Sequence, residues 1–394
     1  MKKEKELILV YNAGSSSLKF SLYNLQEECL LKARIEKLGT KESFLHAEHL
    51  DEMQEFSVDA HNLRTAVQLS IIYLREKSFI KEIKEIKAIG HRVVHGGRKY
   101  QEPTIITRAV EKQIEKLFEL APLHNPANLK VIKEAKKYFK KAKQIAVFDT
   151  AYHSTLKEEE FLYGLPYSIY KKYGIRKYGF HGINHEYSCL EATKLIKKQF
   201  GKNAKKIITI HLGNGSSITA NKNCKSIDTS MGFSPMDGLI MGTRSGQLDP
   251  EIIFYLGKKL GYKELEKMLN KESGLKGLTG YSDMREVWSG YQNGDEKCVR
   301  AMNLLATEIK EYVGRYSAIL GGVDAIVFTG GMGQYAYYLR ELSLKGLDYF
   351  GIKLDKKKND ENKQIFSKKD SKTKLLVIPA NEELMIMRKV KELM

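Results

Sequence analysis

The sequence predicts an α/β protein containing a duplicated unit, on three observations. Apolar runs of strand length alternate with longer segments of helical period. A strand, a glycine-serine turn and a returning strand occur twice, at Leu7 to Tyr23 and at Ile207 to Ala220. A further strand, Ala325 to Phe328, runs into a third glycine-rich turn, Thr329-Gly330-Gly331-Met332-Gly333. With 394 residues the chain has room for two or three domains, each able to bury a core without a disulfide staple.

Leu7 to Val10 and Leu18 to Tyr23 flank Asn12-Ala13-Gly14-Ser15-Ser16-Ser17, where small polar residues permit a tight reversal. From Ala109 to Leu120, the residues Val110, Ile114 and Leu117 fall at i, i+4 and i+7, on one helix face. Ile145 to Phe148 is a short buried strand ending at Asp149-Thr150. Ile207 to Ile210 leads into His211-Leu212-Gly213-Asn214-Gly215-Ser216-Ser217 and returns through Ile218-Thr219-Ala220. Two such strand-hairpin-helix units, one per domain, would set a glycine-rich turn on each side of a cleft. Leu304, Leu305, Ile309, Tyr312, Val313, Tyr316 and Ile319 mark one helix face, ended by Gly321-Gly322. Asp355 to Lys374 is the most polar stretch and reads as a surface excursion before a strand, Leu375 to Pro379, and a final helix from Glu382.

Lys and Arg number 66 against 48 Asp and Glu, a formal net charge of +18. Clustered cations would suit nucleic acid, but this excess is mostly scattered lysine. The dense runs Lys136 to Lys143 and Lys356 to Lys374 read as solvated faces, so neither nucleic acid nor membrane is expected as a partner. A positive field still suits small anionic substrates. Cys29, Cys189, Cys224 and Cys298 are widely spread with no Cys-x-x-Cys, which argues against structural zinc and a disulfide framework and for a reducing cytoplasm. Between Lys5-Glu6 and Asn12 the apolar run is too short for a secretory segment, and no stretch approaches the ~20 apolar residues that span a bilayer.

Glycine-rich turns after strands suit phosphate, because the backbone approaches closely and several N–H groups face the oxygens. Three of them favour a nucleotide cleft, although a glycine also simply permits a tight turn. No Gly-x-x-x-x-Gly-Lys-Ser/Thr is present, so this is not a P-loop protein. Gly331-Met332-Gly333-Gln334-Tyr335-Ala336 formally matches the dinucleotide pattern G-x-G-x-x-A, but Asp348 and Asp355, the acids about 20 residues on, end no obvious second strand. Arg92, in Gly90-His91-Arg92-Val93-Val94-His95-Gly96-Gly97, and Arg244, in Met241-Gly242-Thr243-Arg244-Ser245-Gly246, stand among small residues, a setting suited to bidentate contact with carboxylate or phosphate. His181 lies between Gly179-Phe180 and Gly182, and Asp149 closes a strand. The plain alternatives are a buried structural histidine, surface arginines and a capping aspartate.

In order, from about Leu7 to Arg388, these segments resemble one family, the acetate kinases of the acetate and sugar kinase, Hsp70 and actin superfamily. The blocks that carry the resemblance are Asn12 to Phe20, His91 to Gly97, Ala121 to Pro126, Phe148 to His153, Tyr178 to His185, His211 to Ser216, Asp228 to Phe233 and Met241 to Gly246. The resemblance implies two duplicated actin-like (ribonuclease H-like) α/β domains with a nucleotide cleft between them. Residues 1–150 would form the first, with a C-terminal helix at about 384–394 packing back on it, and 151–383 the nucleotide-binding second. It further implies a cytoplasmic homodimer and Mg²⁺-dependent phosphoryl transfer between ATP and acetate giving ADP and acetyl phosphate, with Mn²⁺ a possible substitute.

Carried over by position, the catalytic set is Arg92, Asp149, His181 and Arg244. Nucleotide contacts fall on Lys19, on His211, Leu212, Gly213, Asn214 and Gly215, on Asp283, Met284 and Arg285, and on Gly331, Met332, Gly333, Gln334 and Tyr335. The metal falls to Asn12 and Glu382, and the acyl pocket to Val94, Leu123, Phe180 and Pro235, with Arg92 beside it. Acetate is already a carboxylate at pH 7, so Asp149 reads as an orienting group more than a proton abstractor.

The sequence departs from the family pattern at several places. Gly331-Met332-Gly333-Gln334-Tyr335 replaces Gly-Ile-Gly-Glu-Asn, which bears on nucleotide affinity and base preference. Ile183-Asn184 replaces Thr-Ser, Gln247 stands where Asp is common, and Ala380 where Thr is common. Other readings are a propionate or other short-chain acyl kinase, a nucleotide-binding sensor of the same fold, a basic nucleic-acid binder and a dehydrogenase.

Overall fold

The computed structural model describes residues 5–49 and 52–394. The chain divides into two compact units, one running to Ala151 and joined by Asn381–Met394, the other Tyr152–Ala380. In the first unit the strands are β1 (Leu7–Ala13), β2 (Leu18–Asn24), β3 (Cys29–Glu36), β4 (Phe44–His49), β5 (Glu52–Ser57), β6 (Ile86–Val93), β7 (Thr104–Ile105) and β8 (Lys143–Phe148). They form one sheet in the order β5-β4-β3-β2-β1-β6-β8-β7. β1 pairs antiparallel with β2 and parallel with β6, and β6 runs parallel to β8.

Every residue of β1 is buried, as in a central strand covered on both faces. Leu7, Leu9 and Tyr11 share a core with the helices Leu63–Glu76 and Asn125–Tyr138, and the Tyr11 hydroxyl meets Ser70 Oγ at 2.7 Å. Strand alternation sends Val10 to the opposite face, against the C-terminal helix Glu382–Lys391. Gly90 on β6 lets that helix dock closely: a Cβ there would stand 2.6 Å from Ile386 Cγ2 and 2.8 Å from Val390 Cγ2.

The second unit holds β9 (Lys206–Leu212), β10 (Ser216–Lys222), β11 (Lys225–Thr229), β12 (Ala325–Thr329) and β13 (Lys374–Val377), in the order β11-β10-β9-β12-β13. β9 is antiparallel to β10 and parallel to β12, and β12 is parallel to β13. The order and directions repeat those of β3-β2-β1-β6-β8 in the first unit, so the duplication seen in the two glycine-serine hairpins extends to whole sheets. Ile208 and Ile210 face a core shared with the helix Glu296–Leu320, while Ile207 faces the core under the helix Gly182–Phe200.

Three local expectations change. The third glycine-rich turn coils into a short helix, Gly330–Tyr335, whose first residue, Gly330, has φ of +79°. Asp355 to Lys374 is not a simple surface excursion: Phe366 and Asn359 are fully buried, and Ile365 bridges to Leu376. Cys189 and Cys224 are disulfide-paired, with Cα atoms 5.7 Å apart, because the helix Gly182–Phe200 packs beside the β10–β11 turn. That nearness joins residues 35 apart in sequence and is invisible to a Cys-x-x-Cys search.

Candidate active site

The carboxyl ends of adjacent parallel strands are where open α/β sheets collect ligands, since the side chains there escape the sheet and face a crevice. In the first unit Asn12 stands near the end of β1, Arg92 near the end of β6, Asp149 just beyond β8, and Glu382 opens the C-terminal helix. Arg92 Nε donates to both Asp149 carboxylate oxygens at 3.2 and 3.1 Å, and Nη2 donates to Oδ2 at 2.6 Å. Nη1 donates to Asn12 Oδ1 at 3.1 Å and pairs with Glu382 Oε2 at 3.3 Å. Asn12 Nδ2 in turn faces Glu382 at 3.3 Å and Glu383 at 3.1 Å.

Asp149 is 1% exposed, and its burial pushes the carboxyl pKa up while the Arg92 guanidinium opposes that push. Burial alone would lower Arg92, but Asp149, Glu382 and Glu383 outweigh it and hold its pKa above the usual arginine value. The result is a guanidinium fixed in one orientation by three oxygen-bearing side chains. Val94 is buried on the same strand end, its N–H donating to Asn128 Oδ1 at 3.2 Å, whereas Leu123 is 47% exposed. Lys19, on β2, is exposed and lines a cavity of about 210 Å³ with Ser21 and Glu383.

In the second unit His181 adopts a left-handed backbone, φ +55°, at the start of the helix Gly182–Phe200. A non-glycine residue there is held by its surroundings. The preceding carbonyl, Phe180 O, accepts from His153 Nε2 at 3.0 Å, and Gly179, φ +72°, has no room for a Cβ because the His153 ring would be 2.6 Å away. Burial lowers the His153 pKa to about 4 and that of His185 well below the usual histidine value. The ring of His181 lies 4.3 Å from that of His211.

The turn that follows β9 meets the loop carrying Arg244. Gly242 N–H donates to Asn214 O at 3.1 Å, and a Cβ at Gly215 would stand 3.3 Å from His181 Nε2 and 3.6 Å from Arg244 Nη1. His181, Gly215 and Arg244 therefore converge. Arg244 Nη1 donates to Pro235 O at 3.0 Å, and burial pushes its guanidinium below the usual value.

Beside this point lies a cavity of about 760 Å³ lined by Gly213, Asn214, Ser282, Asp283, Met284, Arg285, Trp288, Gly331, Met332 and Tyr335 to Tyr338. Asp283 caps the helix Met284–Gln292 through Arg285 N–H at 2.8 Å and grips the Arg285 guanidinium at 2.6 Å. His211, Leu212, Gly215, Gly333 and Gln334 do not line it. Gly333 and Gln334 instead give their carbonyls to the buried Arg340, each at 2.8 Å.

Sequence reasoning missed several of these groups. Trp288, the sole tryptophan, stacks on Tyr338 with ring centroids 3.8 Å apart and an interplanar angle of 2°, walling the cavity. Ser217, His185 and Thr209 back His181. One signal was present: His181 and His185 are four apart at a helix start, so they share a face.

The acetokinase family model matches residues 7–388. An acetate kinase of Sulfurovum sp. is 46% identical over 387 residues, covering 97% of each chain, and one from Halothermothrix orenii is 45% identical over 390 residues, covering 97% of this chain and 98% of its own. Among solved structures, Porphyromonas gingivalis acetate kinase superposes with a TM-score of 0.90 at 39% identity, covering 98% of this chain and 99% of its own. A propionate kinase from Francisella tularensis gives 0.91 at 37% identity, covering 99% and 100%. With its duplicated α/β sheets and a match across nearly its whole length, the chain belongs to the acetokinase family.

Proposed function

We propose that this chain is an acetate kinase, transferring the terminal phosphoryl group of ATP to acetate and giving acetyl phosphate and ADP, reversibly and by direct in-line displacement. The observation that carries this reading is the fixed guanidinium of Arg92, held by Asp149, Asn12 and Glu382 at the strand ends. An acetate oxygen forms the new bond to phosphorus as the bond to the ADP oxygen breaks, and the electron pair leaves on ADP. No proton moves, because the acceptor is already a carboxylate. Charge spreads over three equatorial oxygens in such a transfer, so positioning and positive charge do most of the catalysis.

Arg92, Arg244 and His181 supply donors for those oxygens, and Asp149 orients Arg92. The aromatic and methionine cavity beside Gly213 and Asn214 takes the nucleoside, with Gly331, Met332 and Tyr335 on its wall. The acyl methyl falls to Val94, Leu123, Phe180 and Pro235. Mg²⁺, or Mn²⁺, would fall to Asn12 and Glu382: the carboxylates of Glu382 and Glu383 stand beside the Asn12 amide and offer oxygen donors, with substrate phosphates completing the shell. When bound, the ion would neutralise phosphate charge.

A cytoplasmic setting is proposed from the family resemblance alone, since the Cys189–Cys224 pair removes the cysteine argument for it; among the described residues no helix is long and apolar enough to cross a membrane. A homodimer is supported by the helix Pro250–Leu260, which leaves Ile252, Phe254 and Tyr255 exposed at 40%, 51% and 58%.

The test is acyl phosphate formation from Mg²⁺-ATP with acetate, propionate and butyrate side by side. Turnover is expected to be highest on acetate and to fall about 10² to 10³-fold in Arg244→Ala, the usual loss for one preorganised donor. A preference for propionate would move the chain toward the Francisella tularensis relative. No turnover with nucleotide binding intact would favour a sensor and implicate Gln334 and Tyr335.

A further inference from the structure

A single line of hydrogen bonds connects His181 to the buried interior of its unit. His181 Nδ1 lies 2.9 Å from Ser217 Oγ, Ser217 Oγ lies 2.7 Å from His185 Nε2, and His185 Nδ1 lies 2.7 Å from Thr209 Oγ1. Asn221 Nδ2 ends the line 3.0 Å from Thr209 Oγ1. Ser217, His185, Thr209 and Asn221 are all fully buried, so their donors and acceptors are matched within the chain.

The direction of the line follows atom by atom. Asn221 Nδ2 also faces the carbonyls of Ile207 and Thr219, each at 3.0 Å, while Oδ1 accepts from the Tyr152 hydroxyl at 2.7 Å. Turning the amide over would press its oxygen against two carbonyl oxygens, so the group facing Thr209 Oγ1 is Nδ2, which shares its two hydrogens among three acceptors and accepts nothing itself. The Thr209 hydroxyl therefore cannot donate to Asn221 and donates its hydrogen to His185 Nδ1. A proton on His185 Nδ1 would instead strand the buried Thr209 hydroxyl hydrogen, which is the costlier arrangement. His185, neutral and with Nδ1 occupied as an acceptor, carries its proton on Nε2 and donates to Ser217 Oγ. The Ser217 hydroxyl then donates to His181 Nδ1.

We infer that the line Asn221, Thr209, His185, Ser217 fixes His181 as the Nε2–H tautomer and so presents an N–H donor, rather than a lone pair, on the side of Gly215 and Arg244. Thr209, His185 and Ser217 are positioning residues. This rests on the reading of His181 as a phosphoryl contact. It gives the histidine an N–H to share with a phosphoryl oxygen, and it gives a role to the second buried histidine that stands behind a left-handed residue.

The experiment is a long-range ¹H–¹⁵N spectrum of protein labelled in histidine with ¹⁵N, which separates a protonated ring nitrogen from one with a free lone pair. His181, assigned by the signal lost in His181→Asn, is expected to show a protonated Nε2 and an unprotonated, hydrogen-bonded Nδ1. Thr209→Val removes the hydroxyl with little change of shape; His185 and His181 should then appear as mixed tautomers. Its kcat should fall roughly 10 to 100-fold, the usual loss for an orienting partner, with KM for both substrates within about twofold. Thr209→Ser should restore both. Ser217→Ala cuts the last link and should also mix the His181 tautomers, which covers the case of a Thr209→Val protein that does not fold. A proton on His181 Nδ1 in the unmodified protein, or unchanged tautomers in either folded variant, overturns the inference. Normal turnover in His181→Ala would sink the phosphoryl-contact reading instead, and the spectrum judges the tautomer separately.

Discussion

Asp149 is the residue on which the proposed chemistry divides most sharply. Both its carboxylate oxygens take N–H groups of Arg92, so its lone pairs are committed to orienting a guanidinium rather than waiting for a proton. Asp149→Asn keeps one acceptor oxygen but sets an NH₂ against the donors of Arg92. Its kcat is expected to fall between wild type and Asp149→Ala, and steady-state acyl phosphate formation would show this. Equal large losses in the two variants would assign the role to the negative charge itself. The residue types at Asn12, Arg92, Asp149 and Glu382 were legible as candidates in the sequence. Their convergence was not, because the contacts span 57 positions for Arg92 and Asp149 and 370 for Asn12 and Glu382.

Elements place the second arginine. The loop that carries Arg244 is pinned at its base, where Gln247 N–H donates to Gly238 O at 2.8 Å, and Gly246, φ +72°, leaves no space for a Cβ against Gly238 O at 2.7 Å. Above that base the helix Glu296–Leu320 reaches across with Glu308, whose carboxylate accepts the Ile240 N–H at 2.8 Å. Burial pushes the Glu308 pKa up to about 7. Glu308→Gln retains an acceptor for that N–H and is expected to unfold within a degree or two of wild type on the order expected of a surface change. Glu308→Ala leaves a buried donor unmatched, a loss of about 1 to 3 kcal/mol measurable by urea titration. The same helix shows how far periodicity reaches. Leu305, Ile309, Val313 and Tyr316 are fully buried as the apolar stripe implies, but Leu304 and Ile319, at its edges, are 40% and 37% exposed. A stripe defines a direction and leaves its width to the neighbours.

At the scale of the molecule, buried neutral imidazoles in both units tie stability to pH. His91 and His95 in the first unit and His153 in the second are lowered from 6.5 to about 4, chiefly by burial. Their unfolded forms bind protons below about pH 6.5 while the folded forms resist until about pH 4, so the unfolded chain holds more protons across that window. Stability should therefore be steady above pH 6.5, fall as the pH drops toward 4, and stop falling from this source below it. Chemical denaturation midpoints at pH 7.5, 6, 5 and 4 would check it; a flat series would show that these histidines accept protons in the folded state.

The sequence by itself determined the α/β class, the two glycine-serine hairpins and the family. Those features are local: alternation marks a half-buried strand, a glycine-serine pair allows a tight reversal, and both are written in consecutive residues. Tertiary structure alone decided that Cys189 meets Cys224, that Phe366 dives from a lysine-rich stretch into the core, and that Trp288 walls the cavity. It also decided the line of hydrogen bonds behind His181. These depend on which faces of distant elements are brought together, and a buried hydroxyl acquires a direction only once the fold has fixed every other partner within its reach.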